Sequence, residues 1–383
     1  MTAGDKAVIV QSGLVTAYGD GISSVWSGLF EGKTALAPFD RFSTANMQAG
    51  IAGTVKGLQY QQGESLVMQM LRRLFAGEEG GFPAGVRLLL ATTKGEVDLL
   101  EKAVLDGKDD SGESSPAKLL ARTRKLVGVE DGGQVISAAC ASSTIALARA
   151  ASMVVAGAAE SVLVVACDSV TEFVYSGFSS LMALDKAQAR PFDRNRSGLS
   201  LGEGAAYALV MGATRARREG RDISAEVAGW GMSCDASHMT GPSREGIGQS
   251  GAIRRALRKA AVSAKEITAI SAHGTGTVYN DSMEMKGFRS VFGPETKLVY
   301  SIKGGLGHTM GSAGLIEALV LIRSMNEGSV PPTVGLENVD EEASGWVFRE
   351  SRPIGRGRAV LSTNSGFGGV NASLVFMPYE VAS

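Results

Sequence analysis

The chain has 383 residues, with 38 Lys and Arg against 39 Asp and Glu, for a formal net charge of −1. A pI of about 6.4 without any basic block argues against a nucleic-acid or anionic-membrane binder, and 44% apolar residues exclude a disordered chain. Three cysteines, Cys140, Cys167 and Cys234, are too few and too widely spaced for a disulfide framework or a zinc site, so no metal is expected and a cytoplasmic location is. Met1 to Gly13 lacks a basic stretch followed by an apolar one, and no apolar run approaches the ~18–20 residues of a bilayer span. Neither a secretory signal nor a membrane span is therefore expected.

In chain order, short β-branched runs alternate with helical patterns. Strands are expected at Ala7–Val10, Val86–Leu90, a run ending at Ile136, Ser161–Ala166 and Ala205–Val210. Helices fall between them at Gly21–Phe30, Ala117–Val127 and Ser142–Ala156. Gly77–Pro83 and Gly107–Pro116 are turn-rich and charged and read as surface loops. The second half repeats the alternation: strand Glu226–Gly229, helix Ile247–Ala261, strand Thr268–Ser271, helix Ser282–Phe292, a strand from Leu298 to about Ile302, helix Ser312–Ser324. Arg358–Ser362 and Ala372–Phe376 are final strands flanking a Gly-rich turn. This is an α/β pattern with buried sheets. Its length suits two domains or one duplicated one.

Two strand-to-helix junctions carry reactive side chains. Cys140, in SAACASST, is surrounded by small residues that let the chain turn sharply and a substrate approach. The positive end of the following helix is expected to lower its thiol pKa and so activate it as a nucleophile. Free cysteine ordinarily packs as a small hydrophobe, and Cys167 and Cys234 are read that way. Of the three histidines, His273 in ISAHGTGT and His308 in KGGLGHTMGSAG both follow strands and have glycine neighbours. Lys303 places a positive charge five residues before His308. His238, in CDASHMTGPS, has no strand-end setting and is the weaker candidate.

Taken together, Cys140 in AACASS, His273 in AHGTGT, Lys303 and His308 in KGGLGH, and Phe367 in GFGGVN resemble the β-ketoacyl-acyl carrier protein synthases. The resemblance runs from GLVTAYG near residue 13 through FDRNRSGLSLGEGA at Phe192–Ala205 to the final strands. It implies a thiolase-like fold: a duplicated five-layer α-β-α-β-α arrangement, with residues 1–222 forming one half around Cys140. Residues 223–383 would form the other half and carry His273, Lys303 and His308. The implied reaction is decarboxylative Claisen condensation of an acyl chain held on Cys140 with malonyl-acyl carrier protein. His273 and His308 would stabilise the enolate, and the N–H groups of Cys140 and Phe367 would form the oxyanion hole. Lys303 and Glu284 would form a supporting ion pair, while Thr275 and Thr277 would bind the pantetheine arm. Phe367 would gate the acyl pocket, with Gly366, Gly368 and Gly369 freeing its loop. No cofactor is implied beyond the phosphopantetheine of the acyl carrier protein partner. The expected assembly is a homodimer, or a heterodimer with a chain-length-factor-like subunit.

Several positions depart from the family pattern: Ser137-Ala138-Ala139 before Cys140, Cys167-Asp168-Ser169 where Gly-rich residues are usual, Ser365, and Val370. The chain is also shorter than the common elongation enzymes. These departures bear on pocket shape, so a specialised polyene or polyketide pathway stands beside fatty acid synthesis. Three other readings share some features. A chain-length factor generally lacks the nucleophile, and a thiolase needs a second reactive Cys near the C-terminus, whereas none lies beyond Cys234. A papain-like hydrolase would use one Cys and one His, and is separated by assaying hydrolysis against ketone formation.

Overall fold

A computed structural model describes residues 5–78, 81–109, 112–130, 132–355 and 358–379. Asp110 and Ser111 of one expected loop, Glu79 and Gly80 of the other, and residues 1–4 of the first segment lie outside them. Ten long strands are β1 (Ala7–Thr16), β2 (Arg87–Ala91), β3 (Gly133–Ile136), β4 (Ser161–Asp168), β5 (Gly204–Gly212), β6 (Ala225–Cys234), β7 (Ile267–Ser271), β8 (Leu298–Tyr300), β9 (Ala359–Gly366) and β10 (Val370–Met377). They run side by side in the order β8-β7-β9-β10-β6-β1-β5-β4-β2-β3. The seam is short: β6 and β1 pair only at Val8↔Glu226 and Ile9↔Ala225.

On either side of that seam the same topology appears twice. β1 pairs antiparallel with β5 and β5 with β4, then β4-β2 and β2-β3 are parallel. In the other half β6 pairs antiparallel with β10 and β10 with β9, then β9-β7 and β7-β8 are parallel. Parallel strands need covered faces, and helices cover both. These helices are α1 (Gly21–Phe30), α2 (Leu66–Phe75), α3 (Val97–Leu105), α4 (Pro116–Val127), α5 (Ser142–Val155), α6 (Glu172–Ser180), α7 (Ala213–Arg218), α8 (Ile247–Ala260), α9 (Val278–Phe292), the single turn α10 (Lys303–Leu306) and α11 (Ala313–Glu327).

Side-chain alternation sorts the layers. In β4, Val162, Val164 and Ala166 pack with α5 and α11, whereas Leu163, Val165 and Cys167 face α2 and α4. In the other half, Val360 and Leu374 join the central cluster, while Leu361 and Val375 face α8 and α9. The result is five layers, α-β-α-β-α, with α5 and α11 in the middle, which is the thiolase-like arrangement. A middle helix must be apolar nearly all round, and α11 is buried along most of its length. Glu317 is the buried charge inside it.

Local signals explain the helix ends. Ser115 accepts from the Lys118 N–H, Pro116 occupies the first turn, and Gly128 closes α4 in the left-handed region. The expected boundaries shift in two places near the site. The strand expected to reach Ile302 ends at Tyr300, because Lys303–Leu306 winds into one helical turn. Helix α9 starts at Val278 rather than Ser282, directly after the AHGTGT segment. Helices α2, α3, α6 and α7 are additions to the elements expected from sequence.

Candidate active site

Cys140 sits where β3 turns into α5. The turn is tight: Ala139 is held at φ 47°, a left-handed conformation unusual for a residue with a Cβ. Ser142 clamps it, its hydroxyl donating to the Ala139 carbonyl at 2.6 Å and accepting from the Ala138 N–H at 2.9 Å. Gly366, at the end of β9, presses on this turn. A Cβ there would lie 3.1 Å from the Cys140 nitrogen and 3.2 Å from the Ala138 oxygen. A side chain at Gly366 would therefore crowd the turn, so this residue serves close approach beside the loop freedom expected of it. The Phe367 N–H faces the Cys140 sulfur and favours its thiolate.

The expected activation of the resting thiol is not found. Burial pushes the Cys140 pKa up to about 11, and the opposing pull of Lys94, Lys303 and the Phe367 N–H does not overcome it. A helix end acts over its first turn, but here the thiol is enclosed and loses the water that would solvate a thiolate. Cys167 is buried too, with its pKa raised by burial. Cys234 is exposed at the end of β6.

His273 follows β7 and His308 follows α10. Their rings stand edge to face with centroids 5.1 Å apart, and ligating atoms of Cys140, His273 and His308 all lie within 4.8 Å of one another. Both rings are buried, and both are held well below the ordinary histidine pKa. Burial is the larger cause for each, followed by the positive charge of Lys303. Neutral imidazoles result, and their tautomers follow from their neighbours. The Met310 N–H donates to His308 Nδ1 at 3.1 Å, so the His308 proton is on Nε2. That Nε2 is buried and has no partner among the described residues. For His273, Lys303 Nζ and Asn364 Nδ2 each lie 3.3 Å from Nδ1. Both are donors; the Asn364 orientation is fixed because its Nδ2 also donates to Glu317 Oε2 at 2.6 Å. His273 therefore also carries its proton on Nε2.

Lys303 is buried, and its partner differs from the one expected. It pairs with Glu317 on α11 and donates to the His273 carbonyl at 2.5 Å. The Lys303–Glu284 ion pair implied by the resemblance is not made. Glu284, one turn into α9, instead accepts the backbone N–H groups of His273 at 2.8 Å and Gly274 at 2.6 Å. It also accepts from Asn280 at 3.0 Å and Gln249 at 3.2 Å. Burial, reinforced by the Asp281 carboxylate, pushes Glu284 up to about 8 against the pull of those N–H groups. Its work is to shape the AHGTGT turn. Glu317 and Asn364 are the site residues that sequence reasoning missed. A carboxylate inside the apolar run at residues 314–322 is the sequence signal for Glu317.

Cys140, His273 and His308 open onto a cleft of about 470 Å³. Thr275 and Thr277 line it, their hydroxyls 2.9 Å apart. Phe367, half-buried, packs on Phe178 with centroids 5.7 Å apart, and both rings line the cleft with Leu181 and Met182. His238 is exposed at the cleft wall, its Nδ1 accepting from the Thr240 and Gly241 N–H groups. The FDRNRSGLSLGEGA segment lines the cleft with Ser197, Gly198 and Leu199 and runs on behind it. Its Glu203 pairs bidentately with Arg41 at 2.7 and 2.8 Å and accepts from Val55 and Val170. Among the described residues no helix is long and apolar enough to cross a membrane.

A nucleophile beside two neutral N–H donors is equipped to hold an acyl group and to stabilise a negatively charged oxygen. Known proteins place this geometry. The family described as beta-ketoacyl synthase, N-terminal domain, matches residues 91–216, and its C-terminal domain matches residues 224–337. The chain is 30% identical to 3-oxoacyl-[acyl-carrier-protein] synthase 2 of Vibrio cholerae, over 97% of this chain and 98% of that protein. It is 29% identical to the same-named synthase of Synechocystis, over 98% of each. Among solved structures, the ishigamide ketosynthase/chain length factor superposes with a TM-score of 0.90 at 26% identity, covering 99% of this chain and all of that one. A beta-ketoacyl synthase from Burkholderia phymatum gives 0.86 at 25% identity, covering 98% of this chain and all of that one.

Proposed function

The chain belongs to the β-ketoacyl synthase family, and on that premise we propose how its own residues carry out the condensation that joins an acyl chain to malonyl-acyl carrier protein. The enzyme is a β-ketoacyl-acyl carrier protein synthase, acting in fatty acid or polyketide-type synthesis. The observation that carries the assignment of roles is the Cys140–His273–His308 cluster, with both imidazoles neutral and protonated on Nε2.

In the first half-reaction, Cys140 Sγ attacks the thioester carbonyl of an acyl group on the carrier's phosphopantetheine. The oxyanion forms against the N–H groups of Cys140 and Phe367, each such donor typically being worth ~3 kcal/mol. Collapse expels the pantetheine sulfur, which takes up the proton lost by Cys140. A resting thiol with a pKa of about 11 fits a nucleophile that loses its proton only as the bond forms.

In the second half-reaction, a malonyl thioester places its carbonyl oxygen against His273 Nε2–H and His308 Nε2–H. Cleavage of the bond to the carboxylate releases carbon dioxide and leaves its electron pair as an enolate on that oxygen. Two neutral donors already fixed in place stabilise this charge without reorganisation. The enolate carbon attacks the acyl-Cys140 carbonyl, and expulsion of the Cys140 thiolate frees the 3-oxoacyl product. Lys303, paired with Glu317, keeps His273 in the required tautomer. Thr275 and Thr277 receive the pantetheine arm, and Phe367 gates the acyl pocket.

The repeated strand order supports a division into halves at residues 1–222 and 223–383. The ishigamide neighbour supports a ketosynthase-type dimer, either of two identical chains or with a chain-length-factor-like subunit. The absence of any membrane-crossing helix among the described residues is consistent with a cytoplasmic enzyme.

The test is mass spectrometry of the purified protein with acyl and malonyl carrier proteins. Wild type should gain the acyl mass and release a 3-oxoacyl product. Cys140→Ala should gain no mass, whereas His273→Ala and His308→Ala should still acylate but lose malonyl decarboxylation. Acylation persisting in Cys140→Ala would remove Cys140 from its role.

A further inference from the structure

Asp168 departs from the family's glycine-rich pattern, and the reaction described above leaves it unused. It ends β4, is 2% exposed, and gathers hydrogen bonds from two segments that are remote in sequence. From the end of β2 it accepts the Thr92 hydroxyl at 2.8 Å, the Thr93 N–H at 3.1 Å and the Thr93 hydroxyl at 2.9 Å. From the loop after His308 it accepts the Gly311 N–H at 2.7 Å. That contact leaves no room for a side chain: a Cβ on Gly311 would lie 2.6 Å from Asp168 Oδ2 and 3.1 Å from the Thr93 nitrogen. Lys94 extends the cluster, its Nζ donating to Thr93 Oγ1 at 2.7 Å and lying 3.5 Å from Met310 Sδ.

Both ends of the cluster grip Met310. This residue is 1% exposed and sits at φ 55°, a strained left-handed conformation that persists only where its surroundings fix it. Its N–H is the donor that fixes the His308 tautomer, at 3.1 Å from Nδ1. We propose that Asp168, with Thr93 and Lys94, is a positioning device for His308: it locks the strained Met310–Gly311 backbone and so aims the His308 Nε2–H at the forming enolate. The proposal rests on the reading of His308 as an enolate donor. Asp168 touches no reacting atom, and reaches His308 through Gly311 and Met310.

The physical consequence is selective. Acylation of Cys140 relies on N–H groups of the Cys140 turn and Phe367, whereas malonyl decarboxylation relies on the His308 donor. A displacement of about 1 Å at a positioned group can cost on the order of 100-fold in rate. The half-reactions should therefore separate when the cluster is cut.

Two near-isosteric changes cut it. Asp168→Asn replaces one acceptor oxygen by a donor NH2, so the Thr92 hydroxyl and the Thr93 and Gly311 N–H groups can no longer all be received. Thr93→Val removes the hydroxyl that links Lys94 to Asp168, and Thr93→Ser keeps it. Each variant is assayed as the full chain for two rates: mass gain on Cys140 from acyl carrier protein, and carbon dioxide release from malonyl carrier protein. The expected result is a loss of about tenfold or more in decarboxylation for Asp168→Asn and Thr93→Val, with acylation changed less than about twofold and Thr93→Ser restoring decarboxylation. Wild-type decarboxylation in both variants overturns the proposal. So does an equal fall in both rates, which a general packing defect would produce, or a failure of Thr93→Ser to restore. If wild type neither decarboxylates nor condenses, the His308 reading itself fails, and that outcome is read before any variant is made.

Discussion

Lys303 Nζ lies 3.3 Å from His273 Nδ1 and 2.5 Å from the His273 carbonyl oxygen, so one buried ammonium fixes both the ring and the backbone of the same residue. Its charge is balanced by Glu317, whose other oxygen holds Asn364, the second donor to that ring. The three side chains form a closed network around one imidazole nitrogen. Removing one partner alone would strand a buried charge, so the informative change is paired.

Lys303→Met with Glu317→Gln removes both charges and keeps the volumes. The His273 pKa should then rise, because one of the two positive influences that lower it is gone while burial remains. Decarboxylation should fall on the order of 100-fold, as for loss of a preorganised donor. Proton-observed titration of the ring together with carbon dioxide release checks both. A ring titration that stays where it is in wild type would show that the Lys303 charge does not act on His273.

The resting state of Cys140 gives a second prediction. With its pKa raised to about 11 by burial, only a small thiolate fraction exists at neutral pH. The rate of Cys140 alkylation by iodoacetamide should climb close to tenfold per pH unit from pH 7 to 9.5, without a plateau. A thiol lowered by a helix end would instead level off near or below neutrality. Following alkylation by mass, with Cys140→Ala to subtract Cys167 and Cys234, separates the two.

How much of this was legible in the sequence depends on the range of the interaction. Cys140, His273, Lys303 and His308 stand in local motifs, and the fold brings all four together. The alternation of β-branched runs and helices gave the layers, because a strand's period-2 pattern and a helix's 3.6 pattern are local properties. Pairings between distant segments were not visible. Lys303 could be matched with Glu284 or Glu317 on charge alone, and only the way α11 crosses behind α10 selects Glu317. The thiol pKa follows the same rule: the dipole of α5 is a local feature, whereas the enclosure of Cys140 comes from β9 and its following turn. In the sequence Asp168 is only a departure from a motif, because the Gly311 N–H that it accepts lies 143 positions away.

The two neutral imidazoles also predict how stability varies with pH. Their folded pKa values lie well below 6.5, whereas in the unfolded chain they return to about that value. Between those limits the unfolded state binds protons that the folded state refuses. The contribution of these groups is therefore intact above pH 6.5 and lost as pH falls below it, by up to about 1.4 kcal/mol per pH unit for each ring. Urea unfolding at pH 7.5 and 5.5 should show a smaller acid loss for a His273→Gln, His308→Gln double variant than for wild type. Comparing the two proteins cancels every other titrating group. An equal loss in both would mean that the rings titrate normally in the folded protein.

Gly366→Ala tests the contact between the two halves of the site at a single methyl group. The added Cβ would stand 3.1 Å from the Cys140 nitrogen and 3.2 Å from the Ala138 oxygen and the Ala139 Cβ. Those neighbours belong to a turn already strained at Ala139 and clamped by Ser142, so they have little freedom to give way. Either the turn or the Phe367 loop must move by a few tenths of an ångström, and both carry donors for the oxyanion. Acylation of Cys140 should fall about tenfold, while malonyl decarboxylation, which depends on His273 and His308, should change less. The thermal midpoint should drop by only a few degrees, since overpacking by one methyl group costs on the order of 1–3 kcal/mol. Acylation at the wild-type rate would show that Gly366 is not required for the approach of β9 to the nucleophile, and that the oxyanion donors are set by another contact.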